Sequence, residues 1–393
     1  MPAVLNPSGI SKATREYFKL IKWLGLPVST LLGLDEHLPL LEKGVTSEII
    51  GCSGPIPEGE KFIQLHVGPP NNMGMMPRAE ATLAILFFEG NRLAPSQLGP
   101  AKAVTVACVP SSFCRLGLIR SGVSQQRIRT VPVPLDDQVW NPQVQPAFPN
   151  EGRFRFLFMN SIYERKGLDV LLRAYWEEFS KNEPVELVIK SYKEDDRPNA
   201  ASDHIRKVAA KLGVDPSRRA PISVLDAPMR DEDVPPFMRS FDAVVSTHRS
   251  EGFGLTPFYA MALGVPVIST NYGGVTDFCK DDTAWLVEVE SMVRPSAAEA
   301  KTFTHLQGVL WAEPDVMSAR HAMRECMDNV PERDKKTDAG KRLVAEEFSM
   351  ARCAGALVDA LEAASPKCLG ELASTTSFVN EKFQGEPFTM LEL

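Results

Sequence analysis

Residues 251–268 read EGFGLTPFYAMALGVPVI, and they follow a short apolar run at Ala243–Ser246. The run predicts a buried strand, and the apolar spacing from about Thr256 predicts a helix. Gly252 and Gly254 lie between the two, where the lack of a side chain lets the backbone approach a ligand closely. Free N–H groups and the helix dipole favour an anion at such a helix start. The stretch therefore predicts a strand–loop–helix unit that binds an anion or sugar hydroxyls.

Short β-branched runs alternate with helical stretches on both sides of this unit. In the second half the predicted strands are Phe154–Met159, Val185–Lys190, Ile222–Leu225, Ala243–Ser246, Val265–Ser269 and Ala284–Val287. In the first half they are Ala3–Asn6, Lys61–Val67, Ala81–Phe88, Val104–Val109 and Arg127–Val133. Strands that alternate with helices predict parallel sheets covered on both faces.

A proline-rich segment separates the two series. Residues 132–153 contain five prolines and few apolar clusters, as an interdomain linker does. We therefore predict an α/β fold of two facing, Rossmann-like, doubly wound parallel-sheet domains with a cleft between them. The first domain covers residues 1–145 and the second covers 146–365. A helix near Met350–Ala363 leads back to the first domain, and a tail, 366–393, packs toward it.

The composition is that of an ordinary globular protein. Of 393 residues, 44% are hydrophobic and 24% are charged. No apolar run reaches the roughly 18–20 residues that a membrane-spanning helix needs. The amino terminus lacks the charged start and apolar stretch of a secretory signal, so a cytoplasmic location is expected. The seven cysteines are scattered without paired spacing, which favours reduced thiols and predicts no metal site.

The net charge of −7 is unevenly distributed. Residues 1–150 carry 13 Lys and Arg against 11 Asp and Glu, and the remainder carries 30 against 39. No dense basic run indicates a nucleic-acid partner. The stretch Phe18–Leu24 contains Lys19, Lys22 and Trp23, a composition that allows peripheral contact with a membrane surface. Packing of this stretch in the core, with a solvated basic face, is the favoured alternative.

The full string at 251–268 resembles the E-x7-E region of glycosyltransferase family 4. Four further stretches are similar to that family: FRFLFMNSIYERKGLDVLL at 154–172, Phe241–Phe278 with its ending STNYGGVTDF, FFEGNRLAP at 87–95 and VPSSFCRLGLIRSGV at 109–123. The resemblance implies the GT-B fold and a retaining, metal-independent transfer. The donor would be a UDP- or GDP-sugar, with no separate cofactor. The acceptor would be a hydroxyl of a saccharide, a lipid-linked molecule or another compound.

The resemblance also implies roles for residues of the second half. Lys166 and Arg165 would hold the departing diphosphate, where cations stabilise the transition state more than the ground state. The dipole of the helix predicted at Leu168–Tyr175 disfavours cations at its amino-terminal end. Two cations just before that end therefore indicate that an anion binds there. Glu251 would contact the donor sugar. The other donor-binding candidates are Gly9, Asn160, Ser161, Lys190, Met229, His248, Gly252, Phe253, Gly254, Leu255, Thr256 and Tyr259. The structural alternative for Arg165 and Lys166 is a solvated charge pair, and for Glu251 it is a carboxylate that caps a helix.

Two positions depart from the family pattern. Some members carry an arginine six positions before the lysine, where this chain has Asn160. The second glutamate of the motif is Tyr259 here, whose phenol offers one oxygen to the ribose hydroxyls. Losing a charge-assisted pair costs on the order of 1.5–3 kcal/mol of donor affinity. Tyr259 can accept a hydrogen bond from one ribose hydroxyl or stack against the nucleoside. It can also mark weak donor binding or lost activity. An active enzyme with modified ribose recognition is the favoured interpretation.

Two residues of the first half are further candidates. His66 ends a predicted strand, where ligands collect in a doubly wound sheet, and it is a candidate catalytic residue. A satisfied core histidine is the equal alternative. Glu89 ends the apolar run Ala81–Phe88 and is a candidate for the acceptor side, with an ion pair to Arg92 as the alternative.

Three functional hypotheses remain at this point. The first is the active, retaining glycosyltransferase, with His248 and Arg249 lining its cleft. The second is a degenerate relative that binds a nucleotide sugar, or a partner, without turnover, and Tyr259 is the residue that supports it. The third is a nucleotide-sugar epimerase or hydrolase on the same fold, which would consume donor with no acceptor.

Overall fold

The computed structural model describes residues 2–5, 8–34, 41–54, 56, 58–149, 152–191 and 200–365, with the backbone alone at 2–5 and 31–34. The tail predicted at 366–393 lies outside the described residues. The strands are β1 Pro2–Leu5, β2 Leu31–Leu34, β3 Ile63–Gly68, β4 Ala81–Leu86, β5 Val106–Val109, β6 Ile128–Thr130, β7 Phe154–Met159, β8 Val185–Lys190, β9 Ile222–Leu225, β10 Ala243–Ser246, β11 Val267–Thr270, β12 Trp285–Val287, β13 Val289–Val293 and β14 Trp311–Pro314. The helices are α1 Gly9–Trp23, α2 Lys43–Gly51, α3 Pro95–Ala103, α4 Ser112–Arg120, α5 Leu168–Glu178, α6 Ala200–Leu212, α7 Val234–Arg239, α8 Leu255–Ala262, α9 Ala297–Thr302, α10 Val316–Asp328, α11 Val330–Glu347 and α12 Met350–Ala364.

The second domain is built on one six-stranded sheet. Its strand order is β12-β11-β10-β7-β8-β9, and all its strands are parallel. The winding of the chain therefore reverses between β7 and β10, and ligands bind at the carboxyl ends of strands at such a switch point. Strands β7 to β10 have the bounds that the sequence predicts. The topology thus places Asn160, just after β7, and Glu251, in the loop after β10, at one edge of the sheet.

The first domain contains a four-stranded parallel sheet in the order β3-β4-β5-β6. Strands β1 and β2 form a separate parallel pair, and β1 lies beside β3. Helices α3 and α4 precede β5 and β6 and complete the alternation of helix and strand. The predicted α/β fold of two parallel-sheet domains is confirmed.

The last helix returns to the first domain after the second sheet is complete. Helix α12 packs against α1 and strands β4, β5 and β6. Leu357 and Cys353 are buried in a hydrophobic cluster that also contains Tyr17 of α1. The same cluster takes in apolar residues of the second domain, so one continuous core underlies both sheets.

Helix α1 lies in this core. Phe18, Leu20 and Ile21 are buried, and Lys19 pairs with Asp136 at 2.6 Å and with Glu42 at 3.0 Å. The favoured alternative for Phe18–Leu24, packing in the core, is therefore what the structure shows for this stretch. Among the described residues, no helix combines the length and apolar character needed to cross a membrane.

An antiparallel hairpin interrupts the second domain between β12 and α10. Residues 289–314, which we call the bridging arm, comprise β13, α9, a short 3-10 turn and β14. The arm reaches the first domain, where the Asn91 N–H donates to Leu310 O at 3.2 Å and Leu310 N–H donates to Asn91 Oδ1 at 2.9 Å. Local sequence pattern does not predict the arm, because β13 is largely exposed and lacks a buried apolar run.

Truncation of Leu357 tests whether α12 fastens the two domains together. We expect Leu357→Ala to lower the free energy of unfolding by about 2–5 kcal/mol, since the residue is buried and the cavity left behind adds to the lost apolar contact. The matched control on the same helix is Glu362→Ala, an exposed position where the change should stay within about 0.5 kcal/mol. Urea titrations followed by circular dichroism measure both, and equal effects of the two variants would contradict the packing described for α12.

Candidate functional site

A cavity of about 410 Å³ lies between the domains, at the switch point of the second sheet. Both domains line it: Gly9 and Glu89 belong to the first, and the loops after β7 and β10 belong to the second. The predicted site residues that line it are Gly9, Glu89, Asn160, Ser161, Arg165, Lys166, Lys190, Met229, Glu251, Gly252, Phe253, Gly254, Leu255, Thr256 and Tyr259. The structure therefore brings most of the candidates together in one place.

Three charged side chains form the centre of this cavity. Lys166 Nζ lies 2.5 Å from Glu251 Oε1, and Arg165 Nη1 lies 3.1 Å from Glu251 Oε2. Arg165 Nη1 also donates to Ser250 O at 2.9 Å. Each side chain in this ionic triad is less than one sixth exposed. Both oxygens of one carboxylate are therefore engaged by two different cations.

The environment shifts the pKa values of the ionic triad. Burial alone would raise the pKa of Glu251, but Lys166 and then Arg165 outweigh burial and lower that pKa to about 2. Burial lowers the pKa of Lys166, with Arg165 reinforcing the shift and Glu251 opposing it. Burial also acts to lower the pKa of Arg165, but Glu89 and Glu251 raise it. Glu251 is consequently a carboxylate at neutral pH.

A left-handed glycine sets the position of Arg165 and Lys166. Gly167 has φ of 67°, and a Cβ at that residue would lie 1.8 Å from Thr247 O. The Thr247 hydroxyl donates to Gly167 O at 2.8 Å. The loop at 160–167 thus packs directly on the end of β10, which requires glycine at 167 and places both cations beside Glu251.

The glycine loop before α8 is anchored from the first domain. Gly254 has φ of 96° and caps α8, which begins at Leu255. Gly252 O accepts a hydrogen bond from the Ser111 hydroxyl at 2.6 Å, across the domain boundary. The Thr256 hydroxyl donates to Met159 O at 3.1 Å and ties the first turn of α8 to the end of β7. These contacts hold the residues at the start of α8 in the lining of the cavity.

Glu89 lies on the first-domain wall of the cavity. Its Oε1 is 3.5 Å from Arg165 Nη2, and its Oε2 is 3.8 Å from His305 Nε2. The alternative suggested by the sequence, an ion pair with Arg92, is therefore replaced by contacts with the second domain. Arg165 is shared between Glu89 and Glu251, which links the two domains through one guanidinium.

Tyr259 lines the cavity through an aromatic pair. Its ring stacks on Trp140 of the linker, with ring centroids 3.8 Å apart and planes 8° from parallel. The two rings are almost completely buried, and burial raises the pKa of Tyr259 well above its ordinary value. Lys12 Nζ lies 5.6 Å from the centroid of the Trp140 ring. The position of the second motif glutamate is thus occupied by one half of an aromatic stack.

The far end of the cavity is formed by the loops after β8 and β9. Lys190 Nζ donates to Ser191 O at 2.7 Å and to Ala227 O at 2.6 Å, which joins these loops. Burial lowers the pKa of Lys190, and Asp226 opposes that shift. Met229 lies on the same wall. Lys190 therefore shapes this wall by holding backbone carbonyls.

Sequence reasoning missed several residues that line the cavity, among them Lys12, Trp140, Tyr163 and Asp231. Lys12 could have been found, because it is a cation near the start of α1 just after Gly9, the same signal that marked Lys166. Trp140 and Asp231 reach the cavity through long-range packing that no local pattern reveals. Among the described residues, no group of three His, Cys, Asp or Glu side chains is placed to hold a metal ion.

Three predicted positions do not reach the cavity. The prediction that His248 lines the cleft is wrong: it is fully buried, with its ring hydrogen-bonded to Ser246 Oγ at 3.0 Å and Tyr272 O at 2.8 Å. The same prediction is wrong for Arg249, whose guanidinium turns inward onto Asp169 and Glu313. His66 is buried beside Gly68 and is absent from the lining, so it lies in the core, but neither ring nitrogen has a hydrogen-bond partner among the described residues, and the alternative of a satisfied core histidine is not met.

The lowered pKa of Glu251 predicts a pH-dependent contribution to stability. Its folded pKa of about 2 lies below the ordinary value of 4.5, so the stabilisation is complete above about pH 5 and is lost as pH falls toward 2. We expect the difference in unfolding free energy between the wild type and Glu251→Gln to be constant at neutral pH and to shrink below about pH 5, with a total change on the order of 3 kcal/mol.

Urea titrations from about pH 3 to pH 8 measure this difference. Glu347→Gln is the control, because Glu347 is an exposed partner of Arg352 whose pair contributes about 0–1 kcal/mol. A difference for Glu251→Gln that does not vary with pH would contradict the ionic triad.

Part of the second domain matches the model of a known protein family. Residues 153–303 match the family model described as Glycosyl transferases group 1. A D-inositol 3-phosphate glycosyltransferase of Acidothermus cellulolyticus is 28% identical over 222 residues, which are 54% of this chain and 47% of that protein. The lipopolysaccharide core biosynthesis mannosyltransferase LpsB of Rhizobium meliloti is 36% identical over 72 residues, 17% of this chain and 20% of that protein. The chain thus spans about half or less of the length of these curated relatives.

Solved structures are similar over both domains. A glycosyltransferase of Rickettsia africae has a TM-score of 0.61 at 13% identity, with 98% of each chain covered. HepE of Anabaena, in complex with UDP and glucose, has a TM-score of 0.61 at 10% identity, with 92% of this chain and 98% of HepE covered. At such identities the similarity shows the fold alone. The chain therefore has the GT-B fold, and the part of it that matches the group 1 family model, residues 153–303, contains Arg165, Lys166 and Glu251.

Proposed function

We propose that this chain moves a sugar from a UDP- or GDP-sugar to an acceptor hydroxyl, with retention of configuration and without a metal ion. The observation that carries the proposal is the meeting of Arg165, Lys166 and Glu251 in an interdomain cavity at the switch point. Relatives named as glycosyltransferases support the reaction class. The HepE structure, which holds UDP and glucose, supports a uridine nucleotide as one of the two donor types.

The two cations suit the departure of a diphosphate. As the bond between sugar and phosphate breaks, negative charge grows on the phosphate oxygens. Arg165 and Lys166 lie in a largely buried site, where such charges interact more strongly than in water. Both now bind Glu251, so an entering diphosphate would share or take over partners that are already in position. Stabilisation that grows along the reaction lowers the barrier.

Glu251 and the start of α8 suit the sugar. A carboxylate that gives up one cation to the diphosphate gains a free oxygen, which accepts a hydrogen bond from a sugar hydroxyl. The N–H groups of residues 252–255 at the start of α8 provide donors on the same wall. The sugar would then be held between a fixed acceptor and fixed donors.

The acceptor would enter past Glu89 on the first-domain wall. Its hydroxyl oxygen forms the new bond to the anomeric carbon on the face from which the diphosphate departs, and a phosphate oxygen takes the hydroxyl proton. A saccharide, a lipid-linked molecule or another hydroxyl compound fits this chemistry. Contacts such as Arg165 to Glu89 and Ser111 to Gly252 cross the domain boundary, so closure would assemble the site and exclude water.

Binding without turnover is the second candidate function, and Tyr259 is the observation that favours it. The ring occupies the place of the second motif glutamate and stacks on Trp140. A nucleoside held there would lose the carboxylate partner of its ribose. The ionic triad is intact, however, and that is the part of the site on which the chemistry depends.

Replacement of Lys166 tests the proposed reaction. We expect the wild type to release UDP or GDP from a panel of nucleotide sugars when a hydroxyl acceptor is present. Lys166→Ala should lower kcat by about 10²–10³-fold, because one cation at the leaving group is lost. Lys335→Ala is the control, because Lys335 is exposed and does not line the cavity, and its kcat should be unchanged. A coupled assay for the released nucleoside diphosphate measures all three proteins.

The same assay separates the competing functions. Release that does not depend on an acceptor would identify a hydrolase, and conversion of the donor without release would identify an epimerase. Binding of a nucleotide sugar with neither release nor conversion would support the non-catalytic alternative.

Addition of a chelator tests metal independence. We expect transfer to continue at the same rate in excess EDTA, since Arg165 and Lys166 supply the positive charge at the diphosphate. Proton NMR of the product should show the anomeric configuration of the donor. Loss of activity that added Mg²⁺ or Mn²⁺ restores, or an inverted product, would refute this part of the proposal.

A further inference from the structure

We propose that Arg249 is a positioning residue that transmits closure of the domains to Arg165 and Lys166. The path runs from the first domain through the bridging arm (residues 289–314) to Glu313, then to Arg249, and from Arg249 to the loop that carries the two cations. This inference rests on the proposed function for its catalytic consequence, although its structural part can be tested without any substrate.

Arg249 holds the cation loop at two backbone carbonyls. Its own N–H donates to Arg165 O at 2.7 Å, and its Nη1 donates to Glu164 O at 2.6 Å. The same guanidinium binds both oxygens of Asp169, at 2.9 and 2.8 Å, in the first turn of α5. One nearly buried side chain therefore fixes the loop on both sides of the residues that would grip the diphosphate.

Glu313 connects Arg249 to the bridging arm. Arg249 Nε donates to Glu313 Oε2 at 2.7 Å, and Arg249 Nη2 donates to Glu313 Oε1 at 2.8 Å. The Ala312 N–H also donates to Arg249 O at 2.9 Å. Burial acts to lower the pKa of Arg249, but Asp169 and Glu313 raise it, so it stays charged. A planar guanidinium makes two such forked pairs, and the single ammonium of a lysine cannot.

The residues just before β14 contact the first domain. Leu310, three residues before Glu313, exchanges two hydrogen bonds with Asn91. Val309 packs against Gly90 so closely that a Cβ at Gly90 would lie 2.6 Å away. Three residues of extended chain span about 10 Å, and the neighbouring Trp311 is fully buried. The arm is thus a short, packed connection between Asn91 and Glu313.

The turn at 89–91 contacts both the loop that carries the two cations and the bridging arm. Glu89 reaches Arg165 directly and also reaches His305 in the arm, and Asn91 binds Leu310. Movement of the first domain would therefore change the partners of the arm and of the cation loop together. Ion pairs to partly exposed carboxylates such as Asp169 and Glu313 add little net stability. The charged cluster at Arg249 is better explained by orientation of the loop than by stabilisation of the fold.

Hydrogen exchange in the ligand-free protein tests the transmission. The amides of Lys166 and Gly167 donate to Tyr163 O and Glu164 O, and their exchange reports how firmly the loop is held. We expect exchange of the peptide at 161–167, measured by mass spectrometry, to rise at least tenfold in Arg249→Lys and in Asn91→Ala. Arg324→Lys is the matched control, because Arg324 also joins two carboxylates, Glu178 and Glu183, but does not line the cavity.

Each outcome decides the proposal. Faster exchange of the peptide at 161–167 in both Arg249→Lys and Asn91→Ala, with no change in Arg324→Lys, supports transmission from the first domain. A rise in Arg249→Lys alone shows a local anchor and overturns the transmission, and no rise in Arg249→Lys overturns the positioning role itself. An equal rise in all three variants reports general destabilisation and also overturns it.

Kinetics then test the catalytic consequence. With an accepted donor, Arg249→Lys should lower kcat at least tenfold and change the donor KM less than threefold, because misplaced cations weaken transition-state binding most. Arg324→Lys should change neither value. An unchanged kcat in Arg249→Lys would overturn this consequence. If no donor is turned over by the wild type, the proposed function fails, and the exchange experiment still decides the structural inference.

Discussion

The structure depends on one buried carboxylate that is held by two cations. Glu251 follows β10, Arg165 and Lys166 follow β7, and these two strands are neighbours at the switch point of the second sheet. Burial of any of the three charges alone would be costly, so each requires the others. The ionic triad therefore fixes how the loop at 160–167 packs on the glycine loop, and it leaves positive charge at the edge of the cavity.

The two domains converge on this triad. Arg165 reaches across to Glu89, Ser111 holds the carbonyl of Gly252, and the bridging arm binds Asn91. Helix α12 returns to the first domain and closes the continuous core beneath the cavity. A site built from two domains in this way can respond to their relative position. Arg249 binds the backbone carbonyls of Glu164 and Arg165, and through these contacts a domain movement would reach Arg165 and Lys166.

The sequence predicted the second domain well and the bridging arm poorly. Strands β7, β8 and β10 are buried apolar runs with polar boundaries, so their bounds could be predicted from local pattern. Strand β13 has no such run, and β2 was also missed. Lys166 and Glu251 were predicted because the stretches around them resemble glycosyltransferase family 4, whereas Trp140 reaches Tyr259 from the linker. His248 was misplaced because adjacency to a motif does not determine which way a side chain points.

In the proposed reaction, Glu251 occupies the two cations that the diphosphate would bind. A crystal structure of the protein with bound UDP or GDP tests it most directly. We expect a phosphate oxygen within hydrogen-bond distance of Lys166 Nζ and of the Arg165 guanidinium, with at least one contact to Glu251 lengthened. A diphosphate bound elsewhere, with both contacts of Glu251 unchanged, would contradict it.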